Sequence, residues 1–217
     1  MSTLSRGAAL IYTLLVVELL FLLAAAPGLG LLLLLDRCAS NVPLFALCAV
    51  PLAPAASAAV YALRRRRSDL ADLRPSRDFL RGYRLNVVAV VKLWVPALTV
   101  LSVLAVTLTN RGAAGIPAWW STLLLLLAAV VLLWSANALV IASLFVFRTA
   151  DIAKLAWYFL VRRPGVALGT AGILLTAGAI TVLASEAVAL LPASLLIAGL
   201  VLVSRPMCAE IEERFLL

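Results

Sequence analysis

Six stretches of almost uninterrupted apolar residues, about 8–35, 42–63, 86–109, 118–147, 164–184 and 187–204, run through the chain. Polar residues collect between them, above all in 64–85 and 148–163. Crossing about 30 Å of hydrocarbon takes roughly 20 helical residues, so each stretch has the length of a membrane span or comes close to it. Continuous runs such as Leu123 to Leu127 lack the alternation of a barrel strand, and a spanning segment must satisfy its own backbone hydrogen bonds. The pattern predicts an all-α fold: a polytopic integral membrane helical bundle of about six transmembrane helices, forming a single transmembrane domain over 1–217.

Several positions disturb this pattern. Pro51 and Pro54 fall inside the second stretch, behind Pro43, and remove backbone donors there, which predicts a kinked, broken or partly re-entrant span. Pro27, Gly28 and Gly30 interrupt the first stretch, so its final turns are expected to lie along the outer surface. That stretch is too long for a leader h-region, carries Glu18 in its middle and has Pro27 directly after Ala24 to Ala26, so it reads as a retained span. Within the polar loops, Ser76 is expected to cap an interfacial turn carrying Phe79, Leu80 and Tyr83. Thr149 is expected to cap one carrying Ile152, Leu155, Trp157, Tyr158 and Phe159. Each turn leads into the next span, so a similar layout occurs twice, over 76–147 and 149–204. Gly165 and Gly169 have the spacing that lets membrane helices approach closely.

Composition and charge settle which class of protein this pattern belongs to. The chain is 65% hydrophobic, with a mean hydropathy of +1.14, far outside the soluble range. The run Arg64 to Arg67, followed by Arg74, Arg77, Arg81 and Arg84, would by itself suggest a nucleic-acid patch or a localisation signal, but in so apolar a chain it reads as a loop between spans. With six spans and a cytoplasmic N-terminus, all of the eighteen Lys and Arg residues except Arg37 and Arg111 fall on the inner side. The positive-inside rule then places both termini and both long polar loops in the cytoplasm. Trp119 and Trp120 mark the outer interface. In the stretch "YALRRRRSDLADLRPSRDFLRGYRLN", Arg64, Arg65, Arg66, Arg67, Phe79, Arg81, Tyr83 and Arg84 form a candidate surface for anionic membrane lipid or a cytoplasmic partner. Nucleic acid is not expected as a partner, and the pattern specifies no oligomeric state.

Reactive groups are few. Histidine is absent, and Cys38, Cys48 and Cys208 are spread across the outside, the second span and the inside, so no metal cluster or disulfide framework is expected. Neither a dinucleotide fingerprint nor a phosphate-binding loop is present. No cofactor and no enzymatic activity are expected. The remaining polar groups at membrane depth are Glu18, about ten residues or roughly 15 Å into the first span, Asn137 at a similar depth in the fourth, and the shallower Lys92. A lone charge near mid-bilayer costs at least about 2.5–3.5 kcal/mol, so these three are expected to meet as an intramembrane polar site, read either as a coupling or substrate site or as a buried carboxyl hydrogen-bonded to a neighbouring helix. Trp94 and Trp134 are further candidates for lining such a site.

The stretches "LFLLAAAPGLG", "NVPLFALCAVPLAPAASAAVYALR", "LRPSRDFLRGYRLN" and "AKLAWYFLVRRPG" resemble the YesL-like family of small bacterial membrane proteins, in its high-GC branch. The resemblance covers most of the chain and is most specific at Pro51, Pro54, Ala55 and Tyr61 and in the aromatic and basic loop before Asn86. It implies a multi-pass protein of the bacterial cytoplasmic membrane associated with carbohydrate uptake and degradation. A transporter accessory protein, with a carbohydrate transporter subunit as partner, or a small carrier would fit. A membrane scaffold or regulator is the alternative. It implies no established activity, and the reductase label sometimes attached to such proteins has no flavin or nicotinamide site to rest on here.

Overall fold

The computed structural model describes residues 3–36, 39–65, 74–112, 115, 117–183, 188 and 191–215, and these are almost entirely helical. In chain order the helices are α1 (Thr3–Leu34), α2 (Val42–Cys48), α3 (Leu52–Arg64), α4 (Pro75–Thr109), α5 (Ala118–Leu144), α6 (Thr149–Arg162), α7 (Pro164–Leu183), α8 (Ala193–Val203) and α9 (Arg205–Phe215). Five segments are long and apolar enough to cross a membrane: Gly7–Leu32, Val42–Arg64, Pro75–Thr109, Trp119–Leu144 and Pro164–Leu183. A sixth forms when α8 and α9, bent by 47° at Ser204, are counted together. The chain is thus an all-α bundle of the multi-pass membrane class. Helix α8 rises only about 16 Å over its 11 residues. The charged residues Arg205, Glu210, Glu212, Glu213 and Arg214 all lie in α9, which puts that part of the pair outside the hydrocarbon.

Prolines of similar sequence context have different effects. The expected interruption of the first span does not occur, since α1 continues through Pro27 to Leu34. Here the chain uses small residues for approach: a Cβ on Gly28 would stand 2.1 Å from the Cys48 carbonyl oxygen and 2.7 Å from Pro51 Cγ. The second span does break. Helix α2 ends at Cys48 and α3 starts at Leu52, because Pro51 offers no N–H to carry the ladder across. The Ala49 carbonyl freed at the break accepts from the Leu52 N–H at 3.2 Å and from Trp94 Nε1 at 3.0 Å. Pro54 is harmless, because it occupies the first turn of α3, where an N–H would have no intrahelical acceptor.

Helix α3 is the centre of the bundle, packing against α1, α4, α5 and α8. Its buried residues are mostly alanine, with Ser57, Val60 and Tyr61 among them, and such small side chains let helices approach where no hydrophobic effect drives them together. Tyr61 closes on α4 at Gly82, where an added Cβ would come within 2.7 Å of its own Cβ. Ser57 Oγ and Ser143 Oγ of α5 share a hydrogen bond at 2.8 Å, and Asn86 Nδ2 of α4 donates to the Ser143 carbonyl at 3.1 Å, which ties three helices together.

Neither expected cap forms. Arg74 and Arg148 occupy the N-cap positions without side-chain caps, leaving Ser76 and Thr149 inside α4 and α6. Pro75, with φ fixed near the helical value, begins α4 without help. The interfacial turn at 76–83 is continuous with its span, giving one 35-residue helix. Its counterpart α6 is separated from α7, because Arg163 precedes Pro164 and leaves the helical region at φ −122°, ψ 73°. The two halves of the repeated layout therefore differ at their hinge. Of the glycine pair in α7, Gly169 packs against Val203 of α8, while the space around Gly165 is open.

Candidate functional site

Glu18 has a partner that is not a side chain. Its Oε2 accepts the backbone N–H of Ser194, the second residue of α8, at 2.6 Å across 176 residues of sequence. First-turn N–H groups have no intrahelical acceptor, and a carboxylate is favoured at the positive end of the helix dipole. Glu18 on α1 therefore caps α8 through tertiary contact. Its Oε1 is buried and has no hydrogen-bond partner among the described residues.

The expected meeting of Glu18, Lys92 and Asn137 does not occur. Lys92 is exposed on α4 and makes no ion pair among the described residues, so its long stem is free to carry the ammonium toward the interface. Asn137 is 1% exposed, and neither its Oδ1 nor its Nδ2 has a hydrogen-bond partner among the described residues. Depth along the three helices left their facing directions open, and those directions differ.

A cavity of about 460 Å³ lies among α1, α3, α4, α5, α7 and α8, with Trp94 and Trp134 in its wall. Glu18, Lys92 and Asn137 do not line it. Its polar wall groups point their hydrogens into the protein backbone: Trp94 Nε1 to the Ala49 carbonyl and Trp134 Nε1 to the Ala153 carbonyl, both at 3.0 Å. Ser135 Oγ donates to the Val131 carbonyl at 2.7 Å and Thr181 Oγ1 to the Ala177 carbonyl at 2.9 Å. An occupant meets hydrocarbon walls. The volume is within the usual ligand range, but a sugar entering it would lose the hydration of its hydroxyls without replacement.

Polar groups converge instead at one end of the bundle. Glu210 of α9, only 4% exposed, accepts from Arg163 Nε through Oε2 at 2.6 Å. Its Oε1 lies 3.3 Å from Arg214 Nε and 3.8 Å from Arg162 Nε. Nearby, Arg64 Nη2 at the end of α3 reaches Glu212 Oε1 at 3.4 Å. The Arg163 hydrogen bond, helped by the charges of Arg163, Arg214 and Arg162 and opposed by burial, holds the Glu210 carboxyl below its ordinary pKa. Burial pushes the neighbouring Cys208 thiol up to about 11. These contacts bring the start of the 64–85 loop, the junction of α6 with α7 and the C-terminal helix to the same end. No motif marks Glu210 in the sequence; the available signal is its i, i+4 spacing to Arg214.

The expected loop surface is only partly formed as a surface. Arg64 is paired, Arg65 lies over the Tyr61 ring at 4.8 Å, and Arg81 and Arg84 are exposed. Phe79 is a correction, because at 2% exposure it belongs to the core packed on α3 and cannot contact a partner or lipid. Tyr83 is half-buried against the same cluster. Arg66, Arg67 and Cys38 lie outside the described residues. Among the described residues, no three Cys, Asp or Glu side chains are grouped to hold a metal ion.

The helices define a multi-pass membrane protein, and its only dense polar constellation among the described residues is the arginine cluster on Glu210. No protein-family model matches the chain, and neither does any curated protein or solved structure.

Proposed function

We propose that this chain is an accessory protein of a carbohydrate-uptake system in the bacterial cytoplasmic membrane, acting through its arginine-rich cytoplasmic end and not as a sugar carrier. The observation that carries the second part is the placement of polar groups. Inside the bundle they are spent on backbone carbonyls or dispersed, and the cavity between the helices is walled by hydrocarbon. Among the described residues, it is the end bearing Arg64, Arg162, Arg163 and Arg214 that gathers several charged groups in ion pairs. The carbohydrate association rests on the resemblance to the YesL-like family. Affinity purification in mild detergent from cells grown on a complex carbohydrate is expected to recover a transporter subunit. Sugar uptake by liposomes containing this purified chain alone would refute the accessory reading.

The scaffold reading has support of its own in the same cluster. Its arginines outnumber the carboxylates that hold them, so the end of the bundle can attract an anionic partner without any transporter.

A further inference from the structure

We propose that Arg162, Arg163 and Arg214, gathered by Glu210, bind the phosphate of an anionic phospholipid at the arginine-rich end of the bundle. Three guanidinium groups from the end of α6, the α6–α7 junction and α9 converge on one carboxylate, which leaves two positive charges unbalanced. Glu210 is buried, whereas each of the three arginines is about half exposed. The carboxylate is the fixed post and the guanidinium edges turned away from it are the free donors. Each guanidinium carries five N–H groups in a planar fork, and Arg163 spends its Nε on Glu210, so several remain for a phosphate.

The source of that phosphate follows from the neighbouring surface. Trp157, Tyr158 and Val161 are exposed on α6, directly before Arg162. Indole and phenol rings beside guanidinium groups suit the boundary between headgroups and acyl chains. A soluble phosphate would use the arginines and leave this apolar surface without a role. A phospholipid uses both, its phosphate on the arginines and its glycerol and upper acyl carbons against α6. This goes beyond the accessory reading and stands or falls without it, since no transporter is involved.

The test uses the purified full chain in mild detergent, with native mass spectrometry and lipid titration. Phosphatidylglycerol is expected to remain as a bound adduct. Phosphatidylcholine of the same chain length and inorganic phosphate are expected to leave none. Arg162→Gln with Arg214→Gln, which spares the Arg163 hydrogen bond, is expected to weaken phosphatidylglycerol binding by about tenfold or more. Each single exchange, at a side chain more than half exposed, is expected to weaken it severalfold and replaces the double variant if that does not fold. Arg74→Gln with Arg77→Gln removes the same charge from the start of α4, where both side chains are exposed, and is expected to leave binding nearly unchanged. Equal losses in the two double variants would reduce the effect to bulk attraction and overturn the site. So would unchanged binding in the Arg162 and Arg214 variants, or an equal response to inorganic phosphate.

Discussion

Replacing Glu18 by Leu removes the acceptor of the Ser194 N–H, and its cost follows from the geometry. The contact is 2.6 Å long and part-buried at the first turn of α8, where Ser194 is only 4% exposed. A hydrogen bond to a charged group contributes about 1.5–3 kcal/mol, and a buried donor left without an acceptor loses most of that. Leucine fills similar space, so no large cavity term is added. We expect Glu18→Leu to destabilise by about 1.5–3 kcal/mol. Glu18→Gln keeps an amide oxygen as acceptor and loses only the charge, including its interaction with the helix dipole, which is about 0.3–1 kcal/mol in ordinary cases. Lys92→Met is expected to change stability by less than about 0.5 kcal/mol, because Lys92 is exposed and makes no ion pair among the described residues. Combined with Glu18→Leu it should be additive. The assay is reversible unfolding in mixed micelles, with each variant compared to the parent. Neutral behaviour of Glu18→Leu would refute the cap. Coupling above about 0.5 kcal/mol between positions 18 and 92 would restore the ion pair that the structure lacks.

Further outcomes can be checked in the same system. Gly28→Ala should destabilise by about 1–3 kcal/mol, since its Cβ would collide with the Cys48 carbonyl, whereas Gly30→Ala, with open space around it, should be neutral or mildly stabilising. Trp94→Phe should lose about 0.5–1.5 kcal/mol by removing the indole donor at the break in the second span. The lowered pKa of Glu210 means that the unfolded chain binds its proton first on acidification. Its stabilisation is complete above the ordinary value of 4.5 and is lost as pH falls toward the folded value. Glu210→Gln should flatten that part of the stability profile. Cys208, buried and with its thiol raised to about 11, should resist thiol reagents even in permeabilised cells. Sidedness is better read from Gly112→Cys and Arg81→Cys, both exposed, with only the former expected to label in intact cells.

The apolar runs, the all-α class and the concentration of arginines in particular loops were legible because they are properties of the chain in one dimension. A helix in hydrocarbon needs a length and a composition, and both can be counted without knowing what lies beside it. The break at Pro51 was legible for the same local reason. The continuity of α1 through Pro27 was not, because a proline inside a spanning helix is tolerated where neighbouring helices pack around it, and Gly28 lies against Cys48 of one such neighbour. The burial of Phe79 depends likewise on α3 standing in front of α4. Glu18 shows the limit most plainly. Its depth could be estimated from its place in a span, and the need for a partner followed from the cost of a lone charge. Which group met that need depended on how α1 crosses α8, and the answer was a backbone N–H, which every residue but proline carries and no motif marks. The Glu210 cluster is similar, since residues 162 and 163 come beside 210 only once α6, α7 and α9 have packed. Sequence alone determined which segments are long and apolar enough to enter a membrane and which of their ends carry positive charge. Tertiary structure decided which polar groups face one another, because that depends on helix rotation and crossing, which arise only when the helices pack together.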